Sequence, residues 1–84
     1  MLVLNINTTA AGMAKVAILD AKGKPVPGFT IRDCDKIMGN DVAHIVTWRG
    51  QSDVSSLAGR ALRLRLEARS AKVYAFQFVE NEKE

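Results

Sequence analysis

Residues 60–79 read RALRLRLEARSAKVYAFQFV, and this stretch decides the fold class. Leucine alternates with charged residues along its first half, and aromatic residues alternate with other residues along its second half. A period of two is typical of β-strands that have one buried and one exposed face. The pattern therefore predicts two strands joined around residues 69–71. Their shared apolar face consists of Leu62, Leu64, Leu66, Tyr74, Phe76 and Phe78.

The same periodicity recurs along most of the chain. Further strands are predicted at residues 2–8, 13–20, 29–31 and 42–49. No segment of ten or more residues has helical spacing, and one helical turn is expected at residues 55–57, with Asp53 as its N-cap. We therefore expect an all-β fold: a small antiparallel β-sandwich or partial jelly roll of about five to six strands.

The chain has 84 residues, which predicts a single β domain over residues 1–79 and a solvated tail over residues 80–84. A domain this small buries only about 60% of the surface of its unfolded chain, so its stability is marginal. Cys34 is the only cysteine, which excludes an intrachain disulfide, and no Cys/His spacing indicates structural zinc. Self-association is the expected source of stability, as a homodimer or a higher homo-oligomer that completes the sandwich.

The amino-terminal residues have no basic segment and only a four-residue apolar run, so neither a signal peptide nor a membrane span is predicted. We therefore expect a cytoplasmic chain, or a module taken from a longer exported protein. The net charge is +3, with twelve Lys and Arg distributed among nine Asp and Glu, and aromatic residues make up only 6% of the chain. Nucleic-acid modules concentrate basic and aromatic residues in one patch, so neither nucleic acid nor membrane is an expected partner.

Trp48 is the candidate platform for a ligand, because an exposed indole ring can stack on a sugar ring. Arg32, Arg49 and Asp53 complete the candidate ligand-binding set, since guanidinium groups donate paired hydrogen bonds to hydroxyls and carboxylates. The alternative is that Trp48 belongs to a core or an interface, because Val46 and other apolar residues share its strand face.

Other polar residues have plain structural explanations. His44 has no second histidine or cysteine near it, so no metal site is predicted there. The loop carboxylates of Asp33, Asp35 and Asp41 could hold Ca²⁺, but aspartate is also common in turns. Cys34 lies between two aspartates, which disfavours its thiolate and makes it a poor nucleophile. We expect no catalytic residues, no metal and no cofactor, and therefore no enzyme.

Several motifs together resemble a known family. They are DAKGKPVPGF at residues 20–29, DCD at 33–35, WRGQSDVSSLAGRALRLRL at 48–66 and YAFQF at 74–78. The chain resembles the C-terminal β-sandwich segment of large bacterial proteins related to sialidase-like and fructan-cleaving glycoside hydrolases. The resemblance implies a jelly-roll-like fold, in which preceding strands complete the sheets, and an accessory role facing carbohydrate. It does not imply glycosidase activity.

The sequence thus predicts a non-catalytic binding or assembly module that self-associates through its apolar sheet face, with carbohydrate as a candidate ligand. The alternative is a structural module that binds another protein through a sheet edge and has no small-molecule ligand.

Overall fold

The fold is a single antiparallel sheet covered on one face by an irregular connection. The computed structural model describes residues 1–79. Its three strands are β1 (Leu2–Asp20), β2 (Asn40–Ile45) and β3 (Leu62–Phe78), in the order β2-β1-β3. One 3₁₀ turn spans Ser55–Leu57. The prediction of an all-β fold is confirmed, and the predicted tail at residues 80–84 lies outside the described residues.

The strands are fewer and longer than the five to six predicted. β1 joins two predicted strands, and β3 joins the two strands predicted in residues 60–79. One antiparallel ladder connects them, from Leu2 opposite Phe78 to Asp20 opposite Leu62. Continuous pairing with the neighbouring strand keeps each bent segment within a single strand, so the described residues form three strands in one sheet.

Both long strands bend at the same place. Residues 9–12 of β1 lie opposite Ser70 alone, which has a φ of 50°. A bulge of this kind bends a strand and increases its twist. Gly12 is required there, because a Cβ atom at this position would lie 2.4 Å from the Ser70 backbone oxygen. The bend divides the paired strands β1 and β3 into two limbs. One limb pairs residues 13–20 with 62–69, and the other pairs residues 2–8 with 71–78.

The strand predicted at residues 29–31 is absent. Thr30 instead begins a tight turn, in which Asp33 and Cys34 donate their N–H groups to its backbone oxygen, each at 3.1 Å. The Thr30 hydroxyl also donates to the Asp33 carboxylate at 2.9 Å. Local side-chain hydrogen bonds of this type compete with strand pairing, which explains the difference.

The core lies between β1 and the two irregular segments that join the strands, residues 21–39 and 46–61. Together these segments are called the connection. One face of β1 is fully buried, with Leu2, Ala14 and Ile18 each at 0% exposure. The buried residues of the connection pack against this face, and we call them the roof. The roof comprises Val26, Cys34, Ile37, Val46, Trp48, Val54 and Leu57.

The connection also pairs with the β1 edge that lies away from β3. Ala14 and Ile37 exchange backbone hydrogen bonds, each 3.0 Å long. Ile18 donates its N–H to the Phe29 oxygen at 2.9 Å. These bonds attach the roof to one side of the sheet and leave the β3 side uncovered. Residues 1–79 contain no helix with the length and apolar character needed to cross a bilayer.

Candidate functional site

The candidate site is the apolar face of β3. Leu62 and Leu64 are half-buried at the margin of the roof, and Leu66 is 44% exposed. The aromatic residues beyond the bend are also open to water: Tyr74 at 60%, Phe76 at 57% and Phe78 at 45%. The structure thus places all six residues of the predicted self-association surface on one strand. We call these six residues the apolar strip.

A groove of about 610 Å³ runs along the apolar strip. It extends across the bend at Ser70, from Leu64 and Leu66 on one side to Phe76 on the other. Buried residues of β1 form its floor. Its lining residues are Leu4, Val16, Leu64, Leu66, Val73, Tyr74, Ala75 and Phe76.

Strict alternation along β3 fails at one point beyond the bend. The pairing shifts between Asn5 opposite Ala75 and Ile6 opposite Val73, which leaves Tyr74 as an extra residue. Val73 consequently shares the inner face with Ile6 and packs at the edge of the core. Tyr74 lines this groove and also a second, shallower one of about 450 Å³. Sequence reasoning missed Val73, and its β-branched side chain beside a break in the alternation is the signal that could have identified it.

The opposite face of the same limb is polar. Arg63, Arg65, Glu67 and Arg69 occupy its alternate positions, and all four are exposed. Glu67 lies 3.6 Å from Arg65 and opposite Lys15 of β1. Its carboxylate is the one negative charge among three arginines, so this face keeps a net positive charge.

Trp48 lies in the roof and has no face open to a ligand. It is 2% exposed, and its indole N–H donates to the Val16 backbone oxygen at 2.9 Å. Its ring meets that of Phe29 edge-on, with the centroids 5.3 Å apart. A ring in this position fastens the roof to the middle of β1. Trp48 is therefore a core residue, which is the alternative to its role as a ligand platform.

The other candidate ligand residues lie around the roof rather than in a cleft. Arg49 is next to Trp48 and its Nε donates to the Asp33 carboxylate at 2.8 Å. Arg32 is exposed in the turn before Cys34, and the Asp53 carboxylate accepts the Ser55 N–H at 2.8 Å. Within residues 1–79, no hydrogen bond or ion pair joins Arg32 or Arg49 to the Trp48 indole. None of these four residues lines the groove along the apolar strip.

Two aspartates stabilise the loops that carry the roof. The Thr30 hydroxyl and the Arg49 guanidinium hold the pKa of Asp33 below its ordinary value. The Thr47 hydroxyl, at 2.5 Å, and then the Gly50 N–H, at 2.9 Å, lower the pKa of Asp35. Hydrogen bonds to a carboxylate favour its charged form, so both groups are anions fixed by their own neighbours.

Other candidate chemistry has a structural role. Burial raises the pKa of the Cys34 thiol, whose sulfur accepts the Val16 N–H at 3.3 Å. The His44 Nδ1 lies 3.7 Å from the Asp41 carboxylate. Among residues 1–79, no group of three or more His, Cys, Asp or Glu side chains is arranged to hold a metal ion.

The chain was compared with known proteins at three levels. No family model matches it, and no match was found to a curated protein or to a solved structure. The function of the chain is therefore inferred from its own geometry.

Proposed function

We propose that this chain is a non-catalytic assembly module in which two copies associate through the apolar strip. The observation that supports this is the exposure of four large apolar side chains on one strand: Leu66, Tyr74, Phe76 and Phe78. Side chains of the same sheet face on β1 are fully buried. Water therefore contacts the part of the inner sheet face that the roof does not reach.

The size of the surface favours an interface. An aromatic side chain carries about 150–250 Å², so the three half-exposed rings of the strip leave roughly 300 Å² in water. Two copies together would remove roughly 600 Å² from the rings alone, about half of what a stable interface buries. Leu66, the groove floor and the flanking loops supply further area. The largest apolar patch of a soluble monomer is often functional, and this strip is of that size.

The shape of the strip suits a copy of itself. Each molecule has projecting rings, at Phe76 and Phe78, beside a groove lined by Leu64 and Leu66. A two-fold axis would place the rings of one copy in the groove of the other, so both copies contribute the same contacts. Isologous contacts of this kind close into a dimer and do not propagate.

The dimer would also supply the second layer that a β-sandwich needs. One sheet with a roof on half of its face is an incomplete sandwich, and the sheet of a second copy would cover the other half. This proposal agrees with the jelly-roll-like fold implied by the resemblance described above. The proposed function does not include carbohydrate binding by Trp48, because that ring is buried between the roof and β1.

Light scattering on the untagged chain, from 1 to about 200 µM, tests the proposal. We expect a dimer whose dissociation constant lies in or below the micromolar range, which is typical of interfaces of standard size or smaller. A monomer across the whole range would refute the proposal.

Two variants locate the interface. Phe76→Ser places a hydroxyl in the strip and should shift the dissociation constant upward by at least tenfold. Met38→Ser is the matched control, because Met38 is 59% exposed in the segment before β2 and lines neither of the two grooves that Tyr74 lines. If Met38→Ser dissociates the dimer and Phe76→Ser does not, the interface lies on that segment and the proposed surface is wrong.

A further inference from the structure

The open edge of β3 is a second surface, distinct from the apolar strip. Among residues 1–79, β3 is the outermost strand on its side of the sheet, and one row of its backbone groups has no partner strand there. An unpaired row of N–H and C=O groups is a template for another strand. The pairing of β1 identifies which N–H and C=O groups of β3 are unpaired and which residues lie beside them.

Alternate residues of β1 direct their backbone away from β3. Ala14 bonds to Ile37 and Ile18 donates to Phe29, both on the roof side. Along a strand, successive residues point their N–H and C=O groups to opposite sides. The residues between them, such as Lys15 and Ala17, therefore point their backbone groups toward β3.

The register of the ladder then identifies the free groups of β3. Lys15 lies opposite Glu67, and Ala17 lies opposite Arg65. The charged residues of this limb therefore form their backbone hydrogen bonds with β1. The residues between them direct their N–H and C=O groups to the open edge; these residues are Leu62, Leu64, Leu66 and Ala68.

The side chains follow the same alternation. A strand added at this edge would place one set of its residues beside Leu62, Leu64 and Leu66, on the inner face. Its other residues would lie beside Arg63, Arg65 and Glu67, on the outer face. Glu67 already has Arg65 within 3.6 Å and Lys15 opposite. Among residues 1–79, Arg63 has no ion-pair partner.

A second copy of β3 is a poorer partner for this edge than a segment whose outer row is acidic. In a two-fold antiparallel pairing centred on Leu64, Arg63 faces the partner's Arg65. A pairing centred on Arg65 sets that residue against itself. A pairing centred on Leu66 sets Arg63 against the partner's Arg69, which offsets the favourable contact of Arg65 with the partner's Glu67. A pairing centred on Glu67 sets that residue against itself. Like charges directly opposite each other destabilise a strand pair, so the outer row disfavours self-pairing here.

We infer that the edge from Leu62 to Ala68 binds an extended segment of another protein, in which apolar residues alternate with acidic ones. The segment would add a fourth strand to the sheet. Its apolar residues would continue the inner face, and its carboxylates would pair with Arg63 and Arg65. Backbone hydrogen bonds supply the affinity, and the charge pattern supplies the selectivity.

Two synthetic peptides test this inference. Ac-VTVEVEV-NH2 is designed to pair antiparallel with Leu62–Ala68, with its glutamates beside Arg65 and Arg63. Ac-VTVKVKV-NH2 is the control of opposite charge. N-methyl groups on the threonine and on the charged residues block the outer edge of each peptide and prevent its own assembly.

Binding to the full chain is measured by titration, and its location by amide hydrogen exchange. We expect the acidic peptide to bind at least tenfold more tightly than the basic one, and more weakly at high salt. Exchange should slow at Leu62, Leu64 and Leu66. The amides of Arg63 and Arg65 should change little, because β1 already protects them.

Charge reversal provides the decisive control. The double variant Arg63→Glu with Arg65→Glu should bind the basic peptide in preference to the acidic one, which also shows that the variant is folded. The inference is overturned if neither peptide binds, if both bind equally, or if protection appears elsewhere.

Slow exchange at Leu62, Leu64 and Leu66 that depends on protein concentration, without any peptide, would also overturn it, because a second copy would then occupy the edge. A monomeric chain that still binds the acidic peptide would refute only the proposed dimer. The two hypotheses can therefore fail separately.

Discussion

β1 and β3 carry similar apolar residues on the same face of one sheet, but only those of β1 are protected from water. Val16 is 1% exposed, while Leu66, directly opposite it on the ladder, is 44% exposed. The difference comes from the connection, which bonds to the far edge of β1 and covers that strand but only the margin of β3. Alternation in a sequence predicts which residues lie on the same face of a sheet. Whether that face is buried depends on the layer that covers it.

The comparison predicts that the two halves respond differently to truncation. Trp48→Ala removes the side chain that fastens the roof to β1, and should reduce the free energy of unfolding by about 3–5 kcal/mol. Phe76→Ala, on the uncovered half, should change the free energy of unfolding by less than about 1 kcal/mol. Both variants are measured at protein concentrations too low for the dimer to form. Urea denaturation measures both values. Equal losses would show that a layer covers β3 within one molecule.

The bend that separates the two limbs depends on Gly12. Gly12→Ala should destabilise the fold by about 3 kcal/mol, because the new Cβ would collide with the backbone oxygens of Ser70 and Arg69. Gly59→Ala is the control: its φ is +78°, but a Cβ there would meet nothing within 4 Å. It should cost about 1 kcal/mol, from backbone conformation alone. Similar losses in thermal unfolding would show that the close approach is relieved without difficulty.

Cys34 offers a direct measure of how often the roof opens. The thiol is 3% exposed, so a soluble thiol reagent should label it only when the roof separates from β1. Val54→Ala weakens the roof and should accelerate labelling by about tenfold. Phe76→Ala should leave the labelling rate unchanged under the same dilute conditions. A faster rate in Phe76→Ala would contradict the independence of the two halves.

The smallest expected effect is that of pH on the roof. The pKa values of Asp33 and Asp35 lie below the ordinary value of 3.8, so the stability they contribute is present above that pH. It is lost as the pH falls through their lower, folded-state values, because protonation then breaks their charged hydrogen bonds. The melting temperature should therefore decrease steadily as the pH falls below about 4.

Thr47→Val removes the hydroxyl that donates to Asp35 and keeps the carboxylate. This variant should show a shallower decrease in melting temperature than the wild type in the same pH range. A decrease as steep as that of the wild type would mean that other groups cause the acid sensitivity.

Local patterns predicted the class of the fold and the shared face of Leu62, Leu64 and Leu66. The period of two along residues 60–79 is a local property, and the structure keeps Leu62, Leu64 and Leu66 on one face. The number of strands is not a local property. Residues 9–12 and Ser70 look like turns in the sequence, but the pairing of β1 with β3 makes them bends within continuous strands.

The candidate ligand residues show the same limit. The alternation around Trp48 identifies its face but not what covers that face, and the covering segments belong to an irregular connection without periodicity. The hydrogen bonds of Thr30 and Thr47 to the aspartates likewise depend on how loops meet in space. Residue type alone could not distinguish a structural carboxylate from one that binds a ligand.

The first and last described residues of the fold lie side by side. The Met1 amino group donates to the Val79 backbone oxygen at 2.6 Å, and the Val79 N–H donates to the Met1 oxygen at 2.8 Å. A short linker could thus join residue 79 to residue 1 in a circular permutant, with new termini in the exposed turn at residues 21–23. An affinity tag or fluorescent protein fused at residue 1 or directly after residue 79 would project beside Phe78, where its bulk could obstruct a neighbouring molecule. Moving the fusion point to that turn would keep the label away from β3.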